Sequence, residues 1–377
     1  MRVAPPGSLL QGEILDIVAG CPCLYQYTPC GSNDRPLVVF LPGGFHLARV
    51  VHGGHEGSRP EDFLAHWLNE AGFNVLAISY PLETEPVIMP AVCPGFRMRD
   101  WGRQAAEVTK RVVEAHQLPV EVILAGWSMG GRVVVPFTKA AKVMGVRVEL
   151  YVALAATPGL AGLLSGNLPS KVQCSKTGYA AAPNLAQGFY AQVRAQGARN
   201  QTGEIIPEAT FLREYYGNTP VNLLGYTLKH DGEEFVDDGG LCVGDSEVSD
   251  FASFPWIATL FPDNESDARH ALADKATWGF IFTMKLTAMV ERAKPIGVSW
   301  QRVAALVAAI PDRLSTRIEG NHYFFLGEKG ARETAKAIAS QWETYKVLRS
   351  ELVSLLNVDF PSPLHGLPDT NALNPVS

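Results

Sequence analysis

Residues 121–131 read Glu121-Val122-Ile123-Leu124-Ala125-Gly126-Trp127-Ser128-Met129-Gly130-Gly131. The short apolar run, rich in β-branched residues, predicts a buried strand. Gly-Trp-Ser-Met-Gly predicts a very tight turn, and Arg132-Val133-Val134-Val135 predicts the helix that follows. Such a turn forces Ser128 into a strained backbone conformation. Gly126 and Gly130 remove the Cβ atoms that would strike the neighbouring strand and helix. The hydroxyl then stands at the end of a sheet strand and at a helix N-terminus, where developing negative charge is stabilised. A serine in an ordinary Gly-rich loop would also match the five-residue pattern. Strand before and helix after is the context that reads Ser128 as a nucleophile.

Working outward, Leu37–Leu41 is a continuous apolar run of the kind buried on both faces of a parallel sheet, and it leads into Pro42-Gly43-Gly44-Phe45. Residues 73–80 and 148–156 read as further buried strands. Helical spacing lies between them, after Pro60 (Phe63, Leu64, Trp67, Leu68) and from Met98 to His116. This β-α-β-α-β-α-β alternation over residues 37–156 predicts a mostly parallel sheet with helices on both faces. Ser128 then falls at a strand's C-terminal end, where open α/β sheets place their sites. Residues 12–29 read as a hairpin.

After Pro158 the alternation stops. Residues 159–275 mix loops such as 165–167, short helical pieces and acidic turns, too long a stretch for a structureless connection. They carry many aromatics (Phe189, Tyr190, Phe211, Tyr215, Tyr216, Tyr226, Phe235, Phe251, Phe254, Trp256), which predicts a lid with its own small core. Regularity returns with a helix from Trp300, capped by Ser299, then a strand at 314–319 and Gly320-Asn321-His322-Tyr323-Phe324-Phe325. A long helix from Ala331 follows. The expected division is a core of 1–158 and 280–357, a lid of 159–279, and a Pro-rich tail of 358–377.

Bulk composition narrows the function classes. Of 377 residues 47% are hydrophobic and 19% charged, so a sizeable core is available. The net charge of −6 and the lack of a basic cluster argue against a nucleic-acid partner. No run of about 18 apolar residues predicts a membrane span, and the N-terminus lacks signal-peptide features. Six cysteines in so long a chain do not suggest a disulfide scaffold, which points to a reducing, cytoplasmic location. Neither Cys21 and Cys23 nor the trio His46, His52 and His55 has the partner spacing of a metal site.

A base that takes the serine proton must come from a loop at the same sheet edge, and His322 directly follows the last predicted strand. The competing histidines, His46, His52, His55, His230 and His270, fall in the first loop and the lid, where they would line a pocket.

With these parts in this order, the chain resembles the α/β-hydrolase superfamily over most of its length outside the lid and tail. The resemblance implies an α/β-hydrolase fold and no cofactor. Leu41-Pro42-Gly43-Gly44-Phe45 stands where members usually carry His-Gly, so Pro42 departs from the pattern while the glycines remain. By resemblance, the oxyanion would be held by the backbone N–H of Met129 and that of Gly44 or Phe45. The acid would follow the penultimate strand, about thirty residues before the histidine, in a Gly-x-x-Asp turn. Ala293 occupies the aspartate's place, with Glu291 two residues earlier as the substitute. That assignment needs Met284–Val290 to be a strand, yet helical spacing runs through the same stretch (Trp278, Phe282, Leu286, Met289). In the helical case Trp256–Phe261 becomes the penultimate strand and Asp263 or Asp267 the acid.

The implied chemistry is a serine hydrolase that takes an ester or thioester of a bulky, apolar acyl group, free or carrier-bound, through an acyl-enzyme. The lid and the departures at Pro42 and Ala293 resemble hydrolases and stand-alone thioesterases of secondary metabolism. Two alternatives remain at this level: transfer or cyclisation from the same acyl-enzyme, and a non-catalytic binding protein, for which Ala293 is the main argument.

Overall fold

In a computed structural model, which describes residues 9–90, 92–160, 163, 172–201, 203–293 and 300–356, the apolar runs around Ser128 become the centre of one sheet. The tail at 358–377, the loop at 165–167 and the cap at Ser299 lie outside the described residues.

The hairpin forms from β1 (Glu13–Val18) and β2 (Cys21–Thr28), followed by β3 (Leu37–Leu41), β4 (Val75–Ser79), β5 (Glu121–Trp127) and β6 (Arg147–Leu154). Helices α1 (Arg49–His52), α2 (Leu64–Glu70), α3 (Met98–Ala115) and α4 (Val134–Val143) connect them. Between β6 and the next sheet strand come the short pair β7 (Gln173–Cys174) and β8 (Ala180–Ala181), then α5 (Pro183–Asn200) and α6 (Glu208–Thr210). The small hairpin β9 (Leu228–His230) and β10 (Phe235–Asp237) and helix α7 (Leu241–Asp245) complete this segment. The sheet resumes with β11 (Trp256–Pro262), α8 (Ala268–Ala293), α9 (Trp300–Arg313), β12 (Ser315–Ile318) and α10 (Glu328–Leu356).

Eight strands pair in the order β1-β2-β4-β3-β5-β6-β11-β12. β1 and β2 are antiparallel, β2 and β4 are antiparallel, and every pair from β4 to β12 is parallel. The parallel strands β3 and β4 are buried along their whole length, and so is β5 apart from its first residue. This is why their sequences lack the alternation of a half-exposed strand. α3 packs against α4, and α10 against α2 and α9. A buried ion pair, Glu13 Oε2 to Arg49 Nη2 at 2.6 Å, ties the edge hairpin to α1.

Three expectations need correction. Trp256–Pro262 is a fully buried sheet strand, so the core returns at Trp256 inside the stretch assigned to the lid, and α8 runs across the expected boundary at 279/280. Its aromatic, apolar sequence serves the main core. Met284–Val290 is helical, because the apolar residues at helical spacing (Trp278, Phe282, Leu286) are buried against β11 and its neighbours. Finally, Cys21 and Cys93 form a disulfide with Cα atoms 6.2 Å apart. Such bonds persist in oxidising compartments, so cysteine usage no longer argues for a reducing location. Among the described residues no helix is long and apolar enough to cross a membrane.

Candidate active site

Ser128 closes β5 with φ at +50°, the left-handed region that a β-carbon makes costly. The turn is held by close backbone packing. A Cβ at Gly130 would stand 2.7 Å from the Leu41 carbonyl oxygen, and one at Gly126 would stand 2.9 Å from that of Gly130. The two glycines read from the sequence are therefore required by space. Beyond β3, the Gly43-Gly44 loop comes up against the serine: a Cβ on Gly43 would lie 3.0 Å from Ser128 Cβ.

Two hydrogen bonds fix which way the backbone donors beside Ser128 face. Thr157 N–H donates to the Ser128 carbonyl at 2.8 Å. Tyr80 Oη–H donates to the Gly43 carbonyl at 2.9 Å. In a trans peptide the C=O and the following N–H point in opposite directions. Anchoring those two oxygens therefore turns the N–H groups of Met129 and Gly44 away from Thr157 and Tyr80 respectively. Both Gly44 and Met129 line the cavity that Ser128 opens into. Phe45, the alternative donor, is already engaged: its N–H donates to Thr219 Oγ1 at 2.8 Å.

His322 lines the same cavity. Its Nδ1 lies 2.7 Å from Asp267 Oδ2, which leaves Nε2 as the nitrogen free to face a proton donor. The ring is also steered from below: Trp127 Nε1–H donates to the His322 carbonyl at 3.0 Å, and the two rings lie 5.2 Å apart. Burial would raise the Asp267 carboxyl, but the charge and hydrogen bond of His322, with smaller contributions from His270 and Arg269, hold it below the usual carboxylate range.

Asp263 and Asp267 divide the work of the loop after β11. Asp263 Oδ1 accepts from Gly320 N–H at 3.0 Å, which fixes the backbone just before His322, while Asp267 takes the ring. Asn264 caps the turn between them, accepting from Ser266 N–H at 2.9 Å. Glu291, the preferred acid from sequence, is exposed near the end of α8, and Ala293 ends that helix, so neither meets His322. The reason is the helical state of residues 268–293, which carries Glu291 away along the helix axis.

The other histidines take separate places. His46 is buried with Nδ1 on the Gly44 carbonyl at 2.6 Å and Nε2 near Tyr323 Oη at 2.8 Å; burial lowers it to about 3, so it stays neutral and braces the Gly-Gly loop. His52 is also lowered by burial, to about 4. His55 Nδ1 pairs with Tyr215 Oη at 2.5 Å, and His230 lies on the β9–β10 hairpin. His46 and His55 thus serve separate partners. His270 was missed as part of a pair: its Nδ1 lies 2.9 Å from both oxygens of Asp274. The His270-x-x-x-Asp274 spacing on a helix was the signal. Burial pushes Asp274 up to about 8 and His270 well down. Ligand atoms of Asp267, His270 and His322 lie within 4.8 Å of one another. Arg269 Nη2, 2.5 Å from His270 Nε2, already occupies the nitrogen a cation would need.

The cavity measures about 210 Å³. Of the ten aromatics expected to form the lid, only Phe189 and Tyr226 line it, joined from the β6–β11 segment by Leu185 and Leu224. Most of the others are spent on packing. Phe211 and Tyr216 close around His46, Tyr190 packs on Phe211, and Trp256 packs on Phe282.

An eight-stranded, mostly parallel sheet with an antiparallel hairpin at one edge, a strained serine after its fifth strand and a histidine after its last defines the α/β-hydrolase fold. No protein-family model matches the chain, and no curated protein matches it. Among solved structures, a hyperthermophilic esterase from Pyrobaculum calidifontis is 15% identical at a TM-score of 0.45, over 88% of this chain and 83% of that one. A protein that recognises and cleaves the ring of the Pseudomonas quinolone signal is 12% identical at 0.48, over 90% and 99%. The thioesterase domain of the curacin biosynthetic pathway is 12% identical at 0.40, over 88% and 99%. These are distant likenesses of chain path.

Proposed function

We propose that the chain is a serine hydrolase of esters or thioesters. Ser128 attacks the acyl carbonyl while His322 Nε2 takes its proton. Asp267 holds the imidazole in the required tautomer and stabilises its cationic form. The N–H groups of Met129 and Gly44 receive the oxyanion, each contributing on the order of 3 kcal/mol. The leaving alcohol or thiol takes the proton from His322, and water then releases the acyl group by the reverse of these roles. The observation that carries this reading is the shared cavity of a serine at φ +50° and a histidine whose far nitrogen is 2.7 Å from a carboxylate.

A non-catalytic binding role loses its main argument, since Asp267 occupies the place that Ala293 left empty. Leu185, Phe189, Leu224 and Tyr226 support reading the β6–β11 segment as a cover over Ser128. A cavity of about 210 Å³ is below the roughly 300–1,000 Å³ of common ligand clefts, which supports a compact acyl group over the bulky one expected from sequence. Labelling with a fluorophosphonate tests the nucleophile: wild type is expected to be labelled and Ser128→Ala unlabelled. Equal labelling of both removes Ser128 from the mechanism.

A further inference from the structure

The cavity wall carries charge that acyl-enzyme chemistry leaves unused. Arg132 and Arg269 both line it, and no acidic side chain does among the described residues. Both are tied to the catalytic loops. Arg132 is buried in the turn directly after Ser128, and its Nη1 donates to the Leu223 carbonyl at 2.7 Å. Arg269 opens α8 two residues after Asp267 and reaches the cavity from its more exposed mouth. Its Nη2 donates to Thr157 Oγ1 at 2.5 Å and its Nη1 to the Leu163 carbonyl at 3.1 Å. Thr157 in turn donates to the Ser128 carbonyl at 2.8 Å, so this guanidinium is anchored one residue away from the nucleophile.

Tyr226 lies in the same wall and reports both charges. Burial raises its phenol, while Arg132 and Arg269 each pull it back. Burial costs the Arg132 guanidinium hydration, and Arg269 adds a second positive charge to the same wall, so an anion in the cavity would be attracted by both. A guanidinium's planar fork suits a carboxylate, which it can meet with paired N–H donors. Arg269 has donors left for it: of the five N–H groups of a guanidinium, its contacts to Thr157, His270 and Leu163 use three.

Resting on the serine-hydrolase reading above, we propose that the substrate is an acidic ester or thioester, whose carboxylate Arg132 and Arg269 bind while its acyl carbonyl meets Ser128. The charge selects the substrate and sets its register in the site. The oxyanion is held separately, by backbone N–H groups.

The test uses two matched pairs of esters on the full chain. The acyl-side pair is the mono-4-nitrophenyl ester of adipic acid against 4-nitrophenyl hexanoate. The alcohol-side pair is 4-acetoxyphenylacetate against 4-tolyl acetate. At low ionic strength, kcat/KM for the acidic member of one pair should exceed that of its neutral partner about tenfold or more, the size of one charge-assisted hydrogen bond. Added salt should erode that preference, mainly through KM. Arg269→Gln should bring the ratio towards one, and Arg269→Lys should restore part of it. An enzyme that labels at Ser128 but favours the neutral esters, turns over neither acidic one, or keeps its ratio in Arg269→Gln overturns the acidic subsite and leaves the nucleophile standing. Absence of labelling overturns both.

Discussion

Asp267→Asn is the sharpest probe of the site because it changes a charge and two hydrogens while keeping shape. In the wild type the carboxylate accepts from His322 Nδ1 at 2.7 Å, so the lone pair sits on Nε2, the nitrogen proposed to take the Ser128 proton. An asparagine amide would offer an N–H to Nδ1 and stabilise the opposite tautomer, with Nε2 protonated and unable to take the Ser128 proton. The charge effect adds to this. The Asp267 side chain is only 13% exposed. Opposite unit charges about 4 Å apart at an effective dielectric near 20 attract by about 4 kcal/mol, roughly 10³ in rate for the imidazolium formed during attack. The same substitution in a protease triad lowers turnover by about 10⁴. We therefore expect kcat for a 4-nitrophenyl ester to fall about 10³–10⁴-fold with little change in KM, and Glu291→Gln, exposed on α8, to stay within about twofold of wild type. Asp267 also fixes a pH sign. Its folded pKa is depressed, so its stabilisation is complete above the unfolded carboxylate value of about 4 and is lost as pH falls through the lower folded value. The variant should lose that part of the acid limb in a pH series of urea melts. Turnover of Asp267→Asn within tenfold of wild type, or a large loss in Glu291→Gln, would refute the assignment.

Two further perturbations test the frame around the site. Tyr80→Phe frees the Gly43 carbonyl and should lower kcat about 10–100-fold through a less well-aimed Gly44 N–H, with KM and the extent of fluorophosphonate labelling nearly unchanged. Glu13→Ala removes the carboxylate paired with the buried Arg49 and should cost about 3–5 kcal/mol in chemical unfolding, whereas replacing an exposed pair such as Lys110–Glu114 should cost less than about 1 kcal/mol.

Much of the fold was legible because the parallel strands speak for themselves. Leu37–Leu41 and Val122–Ala125 are apolar without alternation, and burial on both faces demands that wherever they end up. Gly126 and Gly130 were readable for a similar reason: a turn that tight admits no Cβ, so the constraint is local and leaves its mark in the sequence. His322 followed from its position after the last strand.

Asp267 could not be chosen the same way. It meets His322 across 55 residues of chain, and nothing near it in sequence separates it from Asp263, four residues earlier and engaged with Gly320 instead. The choice against Glu291 turned on whether residues 284–290 coil or extend. Their spacing allowed either, and burial of one face of α8 against β11 decided it. Aromatic content misled for a related reason. Trp256 and Phe254 look like lid residues until α8 packs over them. The pairing of Cys21 with Cys93 and the meeting of Arg132 with Arg269 around one cavity likewise join residues 72 and 137 positions apart. The sequence by itself determined the parallel strands between residues 37 and 156, the tight serine turn and the place of His322 after the last strand, because local sterics and periodic burial act over a few residues. Only the tertiary structure decided which carboxylate, which cysteines and which charges meet, because those contacts depend on how distant segments pack.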